Sequence, residues 1–125
     1  MFRALVVGHG DFASGLVSAV REISGRGELF LPLSNQDFPA DMLEKRLREE
    51  MERGDVRVVF TDLPGGSAAL AAHRVMHDRS DVLLVTGANL AALLEFALTT
   101  AGDADEAARI AAAKGQAAIG FIRRG

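Results

Sequence analysis

Ala4-Leu5-Val6-Val7-Gly8-His9-Gly10-Asp11-Phe12-Ala13 is the stretch that decides the fold of this 125-residue chain. Its first four residues are an apolar run that does not alternate, as in a strand buried on both faces. Gly8-His9-Gly10 closes the run. From about Asp11, Phe12, Leu16, Val20 and Ile23 then recur at spacings of three and four until Gly25. That is the pattern of an amphipathic helix with a glycine stop. A buried strand, a tight turn and a helix in that order make the first half of a βαβ unit.

The same alternation continues outward to the C-terminus. Glu28 to Leu33 reads as a second strand, and Leu43, Leu47 and Met51 mark a helix from Pro39 to Arg53. Val56 to Thr61 is a third strand, followed by the turn Asp62-Leu63-Pro64-Gly65-Gly66 and an Ala-rich helix from Ser67 to about His77. Asp81 to Thr86 is a fourth strand. Asn89 caps a helix over Leu90–Thr99, and another helix runs from Asp103 to about Lys114. Ala118-Ile119-Gly120-Phe121-Ile122 reads as a short last strand. The expected fold is α/β: an open, doubly wound, mostly parallel sheet of order 2-1-3-4 plus that C-terminal strand, with helices on both faces. No linker or repeat divides the chain, so residues 1–125 are read as one domain.

Composition narrows the function. Hydrophobic residues make up 49% and charged residues 25%, which is typical of folded domains and excludes disorder. A net charge of −3 gives no basic footprint for nucleic acid and no polybasic membrane patch. With no cysteine, disulfide scaffolds, thiolate zinc sites and cysteine nucleophiles are excluded. No apolar run approaches the roughly 18 residues of a membrane span, and the apolar part of the N-terminus is too short for a signal peptide. The expected location is cytoplasmic.

In an open doubly wound sheet, ligands sit beyond the carboxyl ends of the strands, where the strand order reverses. The loops after strands 1 and 3 face each other there, with Thr86-Gly87-Ala88-Asn89 on the same rim. His9, between two glycines and just ahead of a helix N-terminus, suits a nucleophile that accepts a phosphoryl group. Asp62 at the matching end of strand 3 suits a carboxylate that fixes the imidazole tautomer. Gly10, Gly65, Gly66 and Ser67 offer backbone N–H groups and a hydroxyl to phosphoryl oxygens. Taken singly, His9 is a turn residue and Asp62 a helix cap. Their coincidence with a Gly-Gly-Ser turn on one edge favours chemistry.

Other readings of these residues are weaker. Gly8-His9-Gly10-Asp11-Phe12-Ala13 fits the dinucleotide fingerprint, but Glu28 falls at the start of strand 2, away from the place of the ribose-binding acid. A receiver domain phosphorylated on Asp62 would need an acidic pair after strand 1 and a late lysine. His73 and His77 are four apart on a helix and lack a third metal ligand at matching spacing. The Glu- and Arg-rich helix 42–53 reads as a solvated face with i,i+4 pairs.

Three blocks carry a family likeness: Gly8-His9-Gly10 with Phe12-Ala13 and Gly15-Leu16; Thr61-Asp62 with Gly65-Gly66-Ser67; and Thr86-Gly87-Ala88-Asn89-Leu90 with Leu93-Leu94-Glu95. Over essentially its whole length the chain resembles the IIA component of the mannose family of the bacterial phosphoenolpyruvate-dependent sugar phosphotransferase system, closest to the N-acetylgalactosamine-type branch. The resemblance implies a phosphotransferase in which His9 is phosphorylated by the histidine phosphocarrier protein and passes the group to a IIB component. The sugar permease is then the only link to the membrane. It also implies that Asp62 orients His9 and that Ser67 helps hold the phosphate; transfer between protein histidines needs mainly positioning and charge stabilisation, so neither a metal nor a cofactor is expected. Homodimers in which the C-terminal strand crosses to the neighbouring subunit are implied as well. The family's usual Pro after the Gly-Gly-Ser/Thr step is replaced by Ala68-Ala69, which predicts a looser helix start with activity retained. Two alternatives stay open: a regulatory module that His9 phosphorylation merely switches, and a small nucleotide-binding domain.

Overall fold

The opening apolar run forms the strand β1 (Ala4–Gly8), with all five residues buried. The structure, a computed structural model, describes residues 1–36 and 38–125. Three further strands, β2 (Phe30–Ser34), β3 (Val58–Thr61) and β4 (Leu83–Val85), join it in the order β2-β1-β3-β4. Every pairing is parallel, as the intervening helices require.

The helices are α1 (Phe12–Ser24), α2 (Ala40–Gly54), α3 (Gly66–Met76), α4 (Leu90–Ala97) and α5 (Ala104–Ala118). Alternate residues of the central strands serve opposite faces. Ala4, Val6, Val58 and Phe60 meet α1, α4 and α5, whereas Leu5, Val7 and Val59 meet α2 and α3. On the first face Phe60 lies edge-on to Phe30 and Phe96, with ring centroids 6.2 Å and 5.2 Å away. On the second, Leu43, Leu47 and Met51 form the buried stripe of α2. Its polar flank carries the i,i+4 pairs Arg46–Glu50, with Glu50 itself buried, and Arg48–Glu44, both at 3.0 Å, and Arg48 also reaches Asp78 of the segment after α3 at 2.9 Å.

Three expectations are corrected. Residues Gly27–Leu29 form a single 3₁₀ turn, so β2 starts at Phe30 and Glu28 is exposed ahead of it. A stretch this short has no apolar period to separate turn from strand. Helix α5 runs past Lys114 to Ala118, because Gly115 packs into α4. A Cβ there would stand 2.8 Å from that of Ala92. Lastly, Ala118–Ile122 pairs with no strand of its own chain, and residues 119–125 carry no regular structure. A strand exists only on a partner edge, and this segment meets none within the chain.

Candidate functional site

The parallel register fixes which residues share a rim. Gly8 lies beside Ser34 and Val7 beside Thr61, so His9, Asn35 and Asp62 emerge together at the carboxyl ends of three adjacent strands. A single carboxylate oxygen, Asp62 Oδ2, accepts two bonds from His9, one from ring Nδ1 at 2.7 Å and one from the backbone N–H at 2.9 Å. The second bond holds the carboxylate on the His9 main chain, which aims it at the ring. Residue 8 must be glycine for this approach. A Cβ there would meet Phe12 Cδ2 at 2.6 Å and Asp62 Cγ at 3.0 Å.

The pair is asymmetric in exposure. The His9 side chain is 58% exposed and that of Asp62 11%. Burial pushes the Asp62 carboxyl up, but its two hydrogen bonds from His9, together with the positive charge the ring carries when protonated, outweigh that and hold it below its ordinary value. Asp62 is therefore ionised at neutral pH. An ionised carboxylate only accepts, so Nδ1 carries the proton of this contact, and in the neutral tautomer that this selects Nε2 keeps its lone pair. The result is an exposed nucleophilic nitrogen backed by a buried counter-charge.

The second loop completes the rim. Gly65 is the extended N-cap of α3 and no side chain caps the helix, so its first N–H groups face the rim unclaimed by a side chain. Gly66 follows at φ +90°, in the left-handed region that favours glycine, and a Cβ on it would lie 3.6 Å from His9 Cε1. The α3 N-terminus therefore lies within the reach of one methyl group of the imidazole. Gly10, also at positive φ (+51°), turns the chain into α1 on the other side of His9. Thr61 is fully buried and donates to the Leu63 carbonyl at 3.0 Å, bracing the turn that carries Asp62.

Ser67 has a partner that the sequence reading passed over. Asn35 Nδ2 donates to Ser67 Oγ at 2.6 Å, and the Asn35 backbone N–H donates to the Gly8 carbonyl at 3.0 Å. The available signal was topological: β2 runs parallel beside β1, so the residue just beyond its end reaches the same rim. Asn89 is the cap expected of it, accepting from Ala92 N at 3.0 Å and donating to the Gly115 carbonyl at 2.9 Å. His73 and His77 are both exposed on and just after α3, and no group of three or more metal-ligating side chains occurs among the described residues. No helix among them is long and apolar enough to cross a membrane.

The family model described as "PTS system fructose IIA component", of the mannose type, matches residues 3–114, which include every residue of this rim. The chain belongs to this family of phosphotransferase-system IIA components. No curated protein matches it at a significant level. Among solved structures it is similar to the mannose/sorbose-specific IIA subunit of the phosphotransferase system from Enterococcus faecalis. That likeness has 23% identity and a TM-score of 0.82, over 99% of this chain and 96% of that one. A phosphotransferase component EIIA from Streptococcus agalactiae is similar at 22% identity and TM-score 0.85, over 97% of each chain. The IIA protein associated with the fucose utilization operon of Streptococcus pneumoniae aligns at 22% identity and TM-score 0.77, over 96% and 93%. Identities this low establish a shared fold. They do not single out the N-acetylgalactosamine-type branch.

Proposed function

We propose that this IIA component is a phosphoryl carrier of a bacterial sugar phosphotransferase system and that its acceptor atom is His9 Nε2. The 2.7 Å contact between His9 Nδ1 and Asp62 carries the reading, because it leaves one ring nitrogen free, exposed and nucleophilic. The Nε2 lone pair attacks phosphorus in the phosphohistidine of the histidine phosphocarrier protein. The donor's P–N bond breaks and its electron pair returns to the donor imidazole. The proton on His9 Nδ1 stays in place, so the ring gains positive charge beside the Asp62 carboxylate. Gly10, Gly65, Gly66 and the Ser67 hydroxyl receive the phosphoryl oxygens at the helix N-termini. In the return step a IIB component supplies the attacking nucleophile. Such a transfer between exposed side chains needs positioning and charge stabilisation above all.

We also infer a homodimer working in the cytoplasm and meeting the membrane only through a permease. Ile119, Phe121 and Ile122 are 76%, 88% and 93% exposed, an unusual density of bare apolar side chains in seven terminal residues. Among the described residues the outer edge of β4 is unpaired, with an adjacent groove of about 310 Å³ lined by Val85, Gly87, Ala112, Gly115 and the tail's own Ile119. A tail crossing between two copies would cover both features.

The test is phosphoryl transfer from labelled phosphoenolpyruvate through the general phosphotransferase proteins, on wild type and His9→Ala. Label on the wild type alone, lost in acid and stable in base, is expected. An unlabelled but folded wild type refutes the carrier reading.

A further inference from the structure

We infer that Asn35 is a positioning residue for transfer: it holds the Ser67 hydroxyl so that its proton points at the incoming phosphoryl group. The inference rests on the carrier reading above and deepens it. A serine hydroxyl has one proton to donate and two lone pairs. In the 2.6 Å contact the Asn35 amide is the donor and Ser67 Oγ the acceptor. One lone pair is thus occupied from the β2 side, and the hydroxyl proton is turned away from Asn35. Ser67 lies in the first turn of α3, directly after Gly66, where an added Cβ would lie 3.6 Å from His9 Cε1. Among the described residues no protein group accepts that proton, and a phosphoryl group on Nε2 would.

Asn35 is itself fixed on both sides. Its N–H donates to the carbonyl of Gly8, the residue before His9, at 3.0 Å, and its carbonyl accepts from Phe38 N at 3.2 Å. The side chain of Asn35 is therefore tied to the main chain that carries the nucleophile. Ser67 is held in register with His9 through β2 as well as through its own loop. Preorganisation of this kind removes reorientation from the transfer step, which is where a positioned donor accelerates it. Both main-chain bonds survive any replacement of Asn35 except proline, so substitutions there probe the side chain.

The experiment is single-turnover transfer from a phosphorylated histidine carrier protein to wild type, Asn35→Ala, Ser67→Ala, the double variant and Asn35→Asp. Loss of one neutral hydrogen bond that positions a donor corresponds to about a tenfold slower transfer. Asn35→Ala is expected to slow transfer by about that factor with carrier affinity unchanged, and the double variant to be no slower than Ser67→Ala. Asn35→Asp is expected to be slower than Asn35→Ala, because a carboxylate captures the Ser67 proton and repels the phosphoryl oxygens. A merely structural Asn35 would give neither the coupling nor that order. Wild-type transfer in Asn35→Ala, or independent losses that multiply in the double variant, overturns the assignment while Ser67→Ala still slows transfer. An unlabelled wild type overturns the carrier reading itself and the role of Asn35 with it.

Discussion

Replacing Asp62 by Asn keeps the shape of the side chain and removes its charge. The His9 backbone N–H, 2.9 Å from Oδ2, selects an acceptor, so the carboxamide oxygen is expected where Oδ2 was. The ring proton on Nδ1 then keeps a bond, but to a neutral oxygen. In transfer the imidazole gains positive charge, and the Coulomb attraction lost in the variant grows along the reaction. Two unit charges at 4 Å attract by about 1 kcal/mol in water and about 4 kcal/mol at an effective dielectric of 20. With the ring 58% exposed and the carboxylate 11%, the site lies between these limits. A loss of about 2 kcal/mol corresponds to transfer roughly 30-fold slower. Rapid-quench measurement of a single turnover from the phosphorylated carrier protein reads this directly, with circular dichroism to check the fold. A folded Asp62→Asn protein that accepts phosphate at the wild-type rate would refute the orienting and charge-stabilising role.

Three further outcomes follow from the same geometry. The Asp62 carboxyl is held below its ordinary value by His9, so its contribution to stability is full above that value and is lost as pH falls through the folded-state value. Urea unfolding of wild type and Asp62→Asn at pH 7 and at progressively acid pH should show their difference shrinking on the acid side, and a difference that widens there would contradict the assignment. Gly66→Ala places a Cβ at φ +90°, and unfolding should report a loss of about 1–2 kcal/mol with the Ser67 hydroxyl displaced and transfer slowed. Phe121→Glu combined with Ile122→Glu should convert a dimer to a monomer in sedimentation velocity, and an unchanged dimer would place the interface elsewhere.

Much of this arrangement was legible because the residues that make it have distinctive local physics. Short, β-branched, non-alternating apolar runs such as Leu5-Val6-Val7 and Val58-Val59-Phe60 favour strands buried on both faces, and the helices between them favour parallel pairing. That topology put His9 and Asp62 on one rim before any contact was known. What escaped depends on partners distant in sequence. Helix α5 passes through Gly115 because Ala92 and Asn89 leave no room for a side chain there, a packing effect that helix propensity does not contain. The 3₁₀ turn at Gly27–Leu29 and the start of β2 at Phe30 fall inside one short stretch without a readable period. Asn35 carries no local signal of its role, because its partner Ser67 lies 32 positions away. The apolar tail reads as a strand in sequence, but among the described residues it pairs with neither edge strand of its own sheet.

The central claim is that Asp62 occupies Nδ1 of His9 and leaves Nε2 to take the phosphoryl group. The most direct measurement is phosphorus–proton and nitrogen correlation NMR on the phosphorylated, ¹⁵N-histidine-labelled protein. The expected result is a single phosphohistidine, at His9, with phosphorus bonded to Nε2 and a proton retained on Nδ1. Phosphorus on Nδ1, or on His73 or His77 instead, would contradict the account.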